Sequence, residues 1–457
     1  MQEFTPLDPR AKEWGCIAVD RLSDDFAHIG NLARRSSFDD LVRRYLDPFA
    51  VTSVNHVMNI TDVEDKIIRR VRETKTTLRE FTSKYEAAFF DDMKALGCHL
   101  PNITPRATEY ITDIITLIEK LIARGIAYKA NDGSVYFSIE KYRGCGCNYG
   151  QLQKLNFDEM RVGERVSSDE YEKESVADFA LWKAFVPDDG EVTWDSPWGK
   201  GRPGWHIECS AMSMKVLGES FDLHLGGEDL KFPHHEDEIA QSEGATGKPF
   251  VKYWLHGAFL LVEGKKMSKS LGNFFTLRDL LAKGFTGREV RYLLLSAHYR
   301  GTFNFTIDGL TGARTALARI DECVGKLRAF GPAAANAPQS DLVTRFTAAL
   351  DDDLNISAAW AAIFDWVTET NKRLADSSFA PEAAAAALAV WEQVNSVLGI
   401  GAAAETEAPT EIVALLEARQ AARKAKDFKR SDEIRDELKA KGWVVEDSPK
   451  GPKLKKL

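Results

Sequence analysis

The sequence predicts an α/β body with insertions, followed by a helical region. Two observations indicate this fold class. Helical and strand patterns mix through the first 300 residues, whereas strand patterns fade after about Thr315. The chain has 457 residues, and at roughly 150 residues per domain this length predicts about three domains.

Residues 104–125 show the helical pattern clearly. Apolar residues recur at helical spacing on one face: Ile111, Ile114, Ile115, Ile118, Leu121 and Ile122. Thr104 can cap this helix, Pro105 fits its first turn, and Gly125 supplies the stop. The sequence therefore predicts one amphipathic helix with both ends marked.

A β-hairpin is predicted directly after this helix. The β-prone runs IAYKA and SVYFSI are joined through Asn131-Asp132-Gly133, a composition that favours a tight turn between antiparallel strands. Short strands thus follow a helix here, which is typical of an insertion in an α/β body.

The C-terminal third is predicted to be helical. GPAAANAPQS (331–340) is typical of a surface connection, and the Ala-, Leu- and Trp-rich residues 341–399 indicate a helical bundle. A second linker, GAAAETEAPT (401–410), precedes a charged helical segment at 411–440.

Composition excludes several classes of protein. Hydrophobic residues make up 44% and charged residues 28% of the chain, which argues against disordered and fibrous proteins. Every apolar stretch is interrupted before about 18 residues, and the start MQEFTPLDPR lacks a basic flank before an apolar segment. We therefore expect a cytoplasmic location and no membrane partner.

Six cysteines are too sparse for a disulfide framework, so we expect any functional role of theirs to lie in metal binding or chemistry.

Charge is unevenly distributed along the chain. The net charge of −9 disfavours a nucleic-acid partner, but residues 419–457 contain 13 Lys and Arg against 7 Asp and Glu. A solvated helix face explains such a run, and so does a polyanion-binding module at the C-terminus.

Three residues are candidate metal ligands. FPHHEDE places His234 and Glu238 four residues apart, so on a helix both side chains leave the same face, and Cys209 in GWHIECSAM adds a thiolate. This donor set fits zinc better than magnesium or calcium, with a position left for substrate. A small buried Cys and a surface His/Glu hydrogen bond would explain the same residues.

Cys145 and Cys147 form a Cys-x-Cys pair, but no second cysteine pair accompanies it in the sequence. They are therefore interpreted as loop thiols.

Two short motifs indicate nucleotide chemistry. AHIGN (27–31) precedes a helix-like stretch, where a His and exposed N–H groups can hold phosphate oxygens. GKKMSKS (264–270) places three lysines in a Gly-flanked loop, which suits the charge that develops on a triphosphate during nucleotidyl transfer. The pair, in this order and about 240 residues apart, is far more specific than either motif alone.

At this point the sequence closely resembles the class I aminoacyl-tRNA synthetases, whose paired HIGH and KMSKS motifs these are, and within them the cysteinyl-tRNA synthetases. Seven stretches carry the resemblance: NITDVEDKI (59–67), DFALWKA (178–184), WDSPWGKGRPGWHIECSAM (194–212), HLGGEDLKFPHHEDEIAQS (224–242), KMSKSLGNFFTLRDLL (266–281), ALDDDLNISAAW (349–360) and KAKDFKRSDEIRDELKAKGWVVEDSPKG (424–451). It covers nearly the whole chain.

The resemblance implies a domain organisation. A Rossmann-like parallel-sheet catalytic domain is expected over residues 1–310, with an α+β insertion at about 95–200 and the KMSKS loop region at 255–310. A helical bundle domain at 311–400 and a small helical C-terminal anticodon-binding module at 411–457 follow.

The resemblance also implies a reaction. ATP, with Mg²⁺, would activate L-cysteine to cysteinyl-AMP, and the cysteine would pass to tRNA(Cys), giving Cys-tRNA, AMP and diphosphate. One Zn²⁺ per chain would select the substrate thiolate, because ligand softness separates Cys from Ser where size fails. A monomer is expected.

Site residues carry over from the family motifs. The zinc ligands would be Cys209, His234 and Glu238. Four residues would line the amino-acid pocket: Thr61, Trp205, His224 and Asp229. Eight residues would bind ATP: His28, Gly30, Asn31, Lys266, Met267, Ser268, Lys269 and Ser270. Four of the eight would be catalytic, with His28 at the phosphates, Asn31 in place of the second HIGH His, and Lys266 and Lys269 stabilising the pentavalent transition state.

The N-terminal segment departs from the family. Family members carry a further zinc-ligand Cys nine residues before the HIGH His, within Cys-Gly-Pro-Thr-Val-Tyr, and here that position is Val19. Cys16 lies three residues too early. Codons for a family-like Met-Tyr-Ser-Cys-Gly-Pro-Thr-Val-Tyr, read from the second base, encode the residues 16–23 in order. We hypothesise that compensating frame changes scrambled this strand, and hold the same idea for 33–37 and 47–52.

Two alternatives to the cysteinyl-tRNA synthetase interpretation remain. An inactive tRNA-binding protein would follow if the altered strand at 16–23 removes cysteine activation. The related ligase that joins cysteinyl adenylate to an amino sugar lacks the C-terminal tRNA-binding part, which is present here as residues 411–451.

Overall fold

The computed structural model of the protein describes nine segments: 14–20, 32–47, 53–154, 178–268, 271–376, 379–401, 409–425, 427–448 and 451–456. The strands are β1 Trp14–Asp20, β2 Val54–Ile60, β3 Ala127–Lys129, β4 Val135–Phe137, β5 Phe179–Ala184, β6 Gly201–Pro203, β7 Phe221–Gly227, β8 Val251–Gly257, β9 Leu260–Val262, β10 Lys265–Lys266, β11 Phe303–Phe305, β12 Trp443–Ser448 and β13 Gly451–Lys456. The helices are α1 Arg34–Tyr45, α2 Asp65–Thr74, α3 Leu78–Ala95, α4 Ile111–Ala123, α5 Ile139–Gly144, α6 Trp205–Leu217, α7 Glu236–Thr246, α8 Leu277–Ala282, α9 Gly287–Leu294, α10 Ile307–Arg328, α11 Asp341–Asp351, α12 Ile356–Ala375, α13 Pro381–Leu398, α14 Thr410–Lys424 and α15 Phe428–Ala440.

A parallel sheet in the order β2-β1-β7-β8 forms the centre of the α/β body. β2 and β7 are buried along almost their whole length, as expected when helices cover both faces of a parallel sheet. The chain runs from β1 to β2 on one side and later to β7 on the other, so a crevice for ligands is expected at the carboxyl edge between β1 and β7. The predicted α/β fold class is confirmed.

The insertion forms a second sheet, with antiparallel pairs in the order β3-β4-β5-β6. The predicted hairpin is confirmed as β3 and β4, and Gly133 between them has a φ of +94°, a conformation that favours glycine. A third sheet, β10-β9-β11, follows the central one along the chain.

Helix α4 begins later than predicted. It runs over Ile111–Ala123, so Thr104 is not its cap. The Ile60 N–H donates to the Pro105 carbonyl oxygen (2.8 Å) and the Met58 N–H to that of Ile103 (3.0 Å), because the chain before the helix pairs with the edge of β2. The end matches the prediction, since Gly125 follows with a φ of +72°.

The described residues fall into two compact units, and the chain passes from the first to the second between Ile400 and Gly401. The first unit contains the sheets above and the predicted bundle, which is confirmed as α11, α12 and α13. The second contains α14 and α15, as predicted, and a hairpin of β12 and β13 that the sequence did not predict. Its small core is formed by four residues: Ile412, Ile434, Leu438 and Trp443. Among the described helices, none is both long and apolar enough to cross a membrane.

Candidate metal and nucleotide site

Cys209, His234 and Glu238 converge in the interior of the first unit. Cys209 lies on α6, Glu238 on the first turn of α7, and His234 on the short turn before it. Their ligand atoms all lie within 4.8 Å of one another, and all three residues are buried. The Asn59 amide on β2 donates to Cys209 Sγ (3.2 Å). The structure therefore brings the three predicted metal ligands together.

The donor atoms of this cluster suit a metal ion. His234 Nε2 and Glu238 Oε1 are both buried and lie 3.1 Å apart, but their contact lacks the geometry of a hydrogen bond, and neither atom makes one with another described residue. Buried polar atoms normally have partners, and a divalent cation would satisfy both. Thiolate, imidazole and carboxylate together are donors typical of zinc.

Glu238 uses its two carboxylate oxygens for different imidazoles. Oε1 faces His234, and Oε2 lies 3.1 Å from His224 Nε2. Burial favours the neutral acid, but these histidines outweigh it and lower the pKa of Glu238 to about 2. Burial, reinforced by Glu238 and Glu208, raises the pKa of the Cys209 thiol well above its ordinary value. A bound cation would oppose that rise, because metal ligation favours the thiolate.

Three more histidines line the same pocket and were missed by sequence reasoning. His206 Nδ1 lies 2.7 Å from His234 Nδ1, and His235 Nδ1 lies 2.8 Å from His256 Nε2. Burial lowers the pKa of His235 well below its ordinary value and that of His256 to about 3. For His206 and His235 the available signal was their proximity to predicted ligands in GWHIEC and HHEDE, whereas His256 lies in YWLHG, away from both motifs.

The four predicted amino-acid pocket residues lie either against this cluster or directly after a strand of the central sheet. Trp205 stacks on His234, with ring centroids 4.1 Å apart, and His224 stacks on Trp254 at 4.4 Å. Thr61 is fully buried directly after β2, and Asp229 is exposed on the turn after β7. Trp205 and His224 thus contact the metal cluster, whereas Thr61 and Asp229 lie at the carboxyl ends of their strands.

The second nucleotide motif begins on β10 and continues into a loop. Lys266 is exposed, whereas Met267 packs against the apolar core. Asn273 braces the loop, because its amide donates to the Lys266 carbonyl oxygen (3.1 Å) and its Oδ1 accepts from the Ser268 N–H (2.9 Å). Asn273 was not singled out in the sequence. The remaining predicted ATP ligands lie outside the described residues: His28, Gly30, Asn31, Lys269 and Ser270.

A cavity lies at the carboxyl ends of β7 and β8, on the β7 side of the crevice expected between β1 and β7. It is lined by Gly226, Gly227 and Gly257 together with Arg35 and Asp39 of α1. Burial raises the pKa of Asp39 to about 7, although Arg35 opposes the rise. A Cβ at Gly226 would clash with His235 and one at Gly227 with Asp229, so the packing favours glycine at both positions.

Comparison with protein families matches three regions of the chain. The tRNA synthetases class I (C) catalytic domain matches residues 14–315, the DALR domain 345–403, and the cysteinyl-tRNA ligase anticodon binding domain 405–452. The chain belongs to the cysteine–tRNA ligase family of class I aminoacyl-tRNA synthetases.

Curated cysteine–tRNA ligases are similar over almost their full length. The Chlamydia muridarum (strain MoPn / Nigg) protein is 46% identical over 472 residues, covering 100% of this chain and 97% of the relative. The Protochlamydia amoebophila (strain UWE25) protein is 44% identical, with 94% of this chain and 91% of the relative covered.

Solved class I synthetases share the fold at low sequence identity. Mycobacterium tuberculosis methionyl-tRNA synthetase in complex with methionyl-adenylate has a TM-score of 0.60 at 14% identity, covering 85% of this chain and 90% of that one. The LeuRS of Agrobacterium radiobacter K84 in a ternary complex has a TM-score of 0.58 at 13% identity, covering 86% and 85%.

The departure from the cysteine–tRNA ligase family at position 19 can be placed on the sheet. Val19 on β1 is in register with Asn59 on β2, the residue whose amide contacts Cys209. Cys16 is in register with His56 instead, three residues or about 10 Å along the strand. The backbone register therefore places position 16 opposite a different residue of β2 from position 19.

Proposed function

We propose that the chain activates L-cysteine with ATP and transfers it to tRNA(Cys), acting as a cytoplasmic monomer. The observation that carries the proposal is the buried convergence of Cys209, His234 and Glu238 in a chain that also carries the lysine loop. A thiolate among the protein donors favours a soft metal and hence a sulfur-containing substrate. The family assignment supports the same activity.

Cysteine selection is proposed to rest on Zn²⁺ held by Cys209, His234 and Glu238, one ion per chain. The ion would bind the substrate thiolate and so reject serine, which lacks a soft donor. Trp205 and His224 brace two of these groups through the stacking and the hydrogen bond described above. Thr61 and Asp229, at the strand ends, would hold the rest of the amino acid.

Adenylate formation is proposed for the nucleotide motifs, with Mg²⁺ accompanying ATP. Lys266 and Lys269 would neutralise charge as the cysteine carboxylate attacks the α-phosphorus. His28 and Asn31, with the Gly30 backbone between them, would contact the phosphates, and Met267, Ser268 and Ser270 would complete the loop around them. The glycine-lined cavity at β7 and β8 is the proposed place for the adenosine.

The domain organisation is proposed to follow the sequence expectation. Residues 1–310 would perform activation, 311–400 would form the helical bundle domain, and 411–457 would bind the anticodon of the tRNA. The excess of 13 Lys and Arg over 7 Asp and Glu in residues 419–457 supports the last assignment, because phosphate binding requires local positive charge.

Cysteine-dependent ATP–pyrophosphate exchange on the full chain, followed by tRNA charging, tests the proposal. We expect exchange with cysteine, little exchange with serine, and loss of exchange when zinc is removed by a chelator. Retained tRNA binding with neither exchange nor charging would contradict the proposal and favour the inactive binding protein, whose motivation is Val19 beside Asn59. Exchange without charging, with transfer to an amino sugar, would favour the related ligase.

A further inference from the structure

We propose that Tyr149 and Asp237 are positioning residues for the metal cluster, acting through His206 on the orientation of His234. This inference rests on the zinc site of the proposed function. It assigns a role to a segment of the insertion, residues 149–152, that the family motifs leave without one.

Asp237 lies between the two ligands that share its turn. It is fully buried one residue before Glu238. One of its carboxylate oxygens accepts a hydrogen bond from the Tyr149 hydroxyl, and the other lies 3.5 Å from His206 Nε2. The carboxylate therefore connects the insertion to an imidazole of the metal pocket.

The next contact determines which ring nitrogens carry hydrogen. His206 Nδ1 and His234 Nδ1 are 2.7 Å apart, so one of them must donate and the other accept. His234 Nε2 faces Glu238 Oε1 and is the atom available to a metal. A neutral imidazole that offers a lone pair at Nε2 carries its hydrogen at Nδ1, so His234 donates to His206.

The assignment then continues to the insertion. Because His206 accepts at Nδ1, its hydrogen is on Nε2 and points towards Asp237, whose charge favours that arrangement. Asp237 in turn is held by the Tyr149 hydroxyl. Hydrogen bonds to a metal-ligating imidazole fix its tautomer and ring plane and raise its basicity as a ligand.

The insertion segment is itself firmly bound to the ligand helix. The side chain of Glu236 accepts three backbone hydrogen bonds, from Gly150 (2.6 Å), Gln151 (2.7 Å) and Leu152 (2.9 Å). Tyr149 is buried. Two successive acids of the ligand helix thus hold successive residues of the insertion, which places the Tyr149 hydroxyl where Asp237 needs a donor.

Zinc affinity of the full chain, measured by competition with a chelator, tests this inference. We expect Asp237→Leu to weaken zinc binding by about 10- to 100-fold, the usual effect of losing an outer-shell partner, and Tyr149→Phe by several-fold. Asp237→Asn should restore most of the affinity, because its amide oxygen can still accept from His206. The visible spectrum of the Co²⁺-loaded protein should shift in Asp237→Leu.

A second Tyr–Asp pair in the insertion provides the control. The Tyr128 hydroxyl donates to Asp178 Oδ2 (3.0 Å) without touching the metal cluster, so Tyr128→Phe should leave zinc affinity and the Co²⁺ spectrum unchanged. If the unmodified chain binds no zinc, the proposed function fails. If it binds zinc and Tyr149→Phe and Asp237→Leu bind equally tightly, this inference is wrong. Should Asp237→Leu fail to fold, Tyr149→Phe alone decides.

Discussion

The metal pocket and the lysine loop are built in opposite ways. Cys209, His234 and Glu238 are almost completely buried, and each has protein groups packed against it. Lys266, by contrast, is exposed on a two-residue strand, and the Asn273 side chain makes hydrogen bonds to the backbone of Lys266 and Ser268. One region is fixed before any substrate binds, whereas the other leaves its charged groups in water.

This difference matches the two chemical tasks proposed for them. Distinguishing cysteine from serine requires ligand atoms whose geometry does not adapt to the wrong substrate, because adaptation would erase the discrimination. Stabilising charge on a triphosphate requires cations that come into place once the substrate is bound, which a surface loop allows. We therefore expect substitutions in the pocket to change which amino acid is used, and substitutions in the loop to change how fast it is used.

Cys209→Ser should produce the largest effect. It replaces a soft anionic ligand with a hydroxyl, so we expect cysteine-dependent exchange to fall by roughly 1000-fold or more and the preference over serine to disappear. Zinc content and exchange with both amino acids measure this. Cys323→Ser, at a buried cysteine of α10, is the matched control and should retain activity. Unchanged zinc content and cysteine KM in Cys209→Ser would contradict the metal assignment.

Lys266→Ala should have the next largest effect, and it should fall on rate. Removing one charged group that acts on the transition state lowers kcat by about 100- to 1000-fold, while zinc content and the preference for cysteine stay unchanged. Lys265→Ala, at the equally exposed neighbouring position, is the control and should have little effect. Equal losses in the two variants would show that the loop acts through its overall charge.

Asn273→Ala should loosen the loop without removing any charge. We expect a fall in kcat of about 10-fold, because misplaced catalytic groups lose part of their effect, with zinc affinity unaltered. Steady-state exchange kinetics measure this. Asn395→Ala removes a comparable backbone-bracing amide, which accepts from the Ile400 N–H in the bundle, and should leave exchange unchanged. A normal kcat in Asn273→Ala would refute the bracing role.

His56, on β2 of the central sheet, tests stability, and its substitution should have the smallest effect on catalysis. Burial, with Arg43 nearby, lowers the pKa of His56 from 6.5 to about 4. The folded state keeps this imidazole neutral, whereas the unfolded chain binds a proton at about pH 6.5. The contribution of neutral His56 to the free energy of unfolding is therefore fully present above pH 6.5 and is lost as the pH falls towards 4. The unfolding free energy should drop over this range by up to ~3 kcal/mol more than in His56→Leu. Identical acid slopes in urea titrations would contradict this.

Local sequence patterns predicted those structural features that depend only on residues close together in sequence. The spacing of His234 and Glu238 on one turn, and the hairpin at Gly133, follow from short-range geometry alone. The start of α4 was misplaced because residues near Pro105 pair with the edge of β2, which lies far away in sequence. A pairing between segments so far apart in sequence leaves no signal in the local pattern of residues.

The additional histidines show the same limit within the site. His256 meets His235 only because β8 pairs with β7 in a particular register, and His206 meets His234 because α6 packs against α7. Strand β13, which pairs with β12, was not predicted, because its closely spaced lysines do not show the alternation of apolar and polar residues that is typical of a strand. Sequence reasoning therefore selected the three residues that converge in the candidate metal cluster, but tertiary packing supplies the groups around them.

If the pocket selects cysteine as proposed, the two contacts of Glu238 limit how it could be remodelled for another amino acid. One oxygen serves His234 and the other His224, so shortening the side chain to Asp would withdraw both contacts together. A designer wishing to accept a larger thiol would have to alter two imidazoles and one acid simultaneously. Stepwise laboratory evolution through single substitutions should consequently stall at this residue.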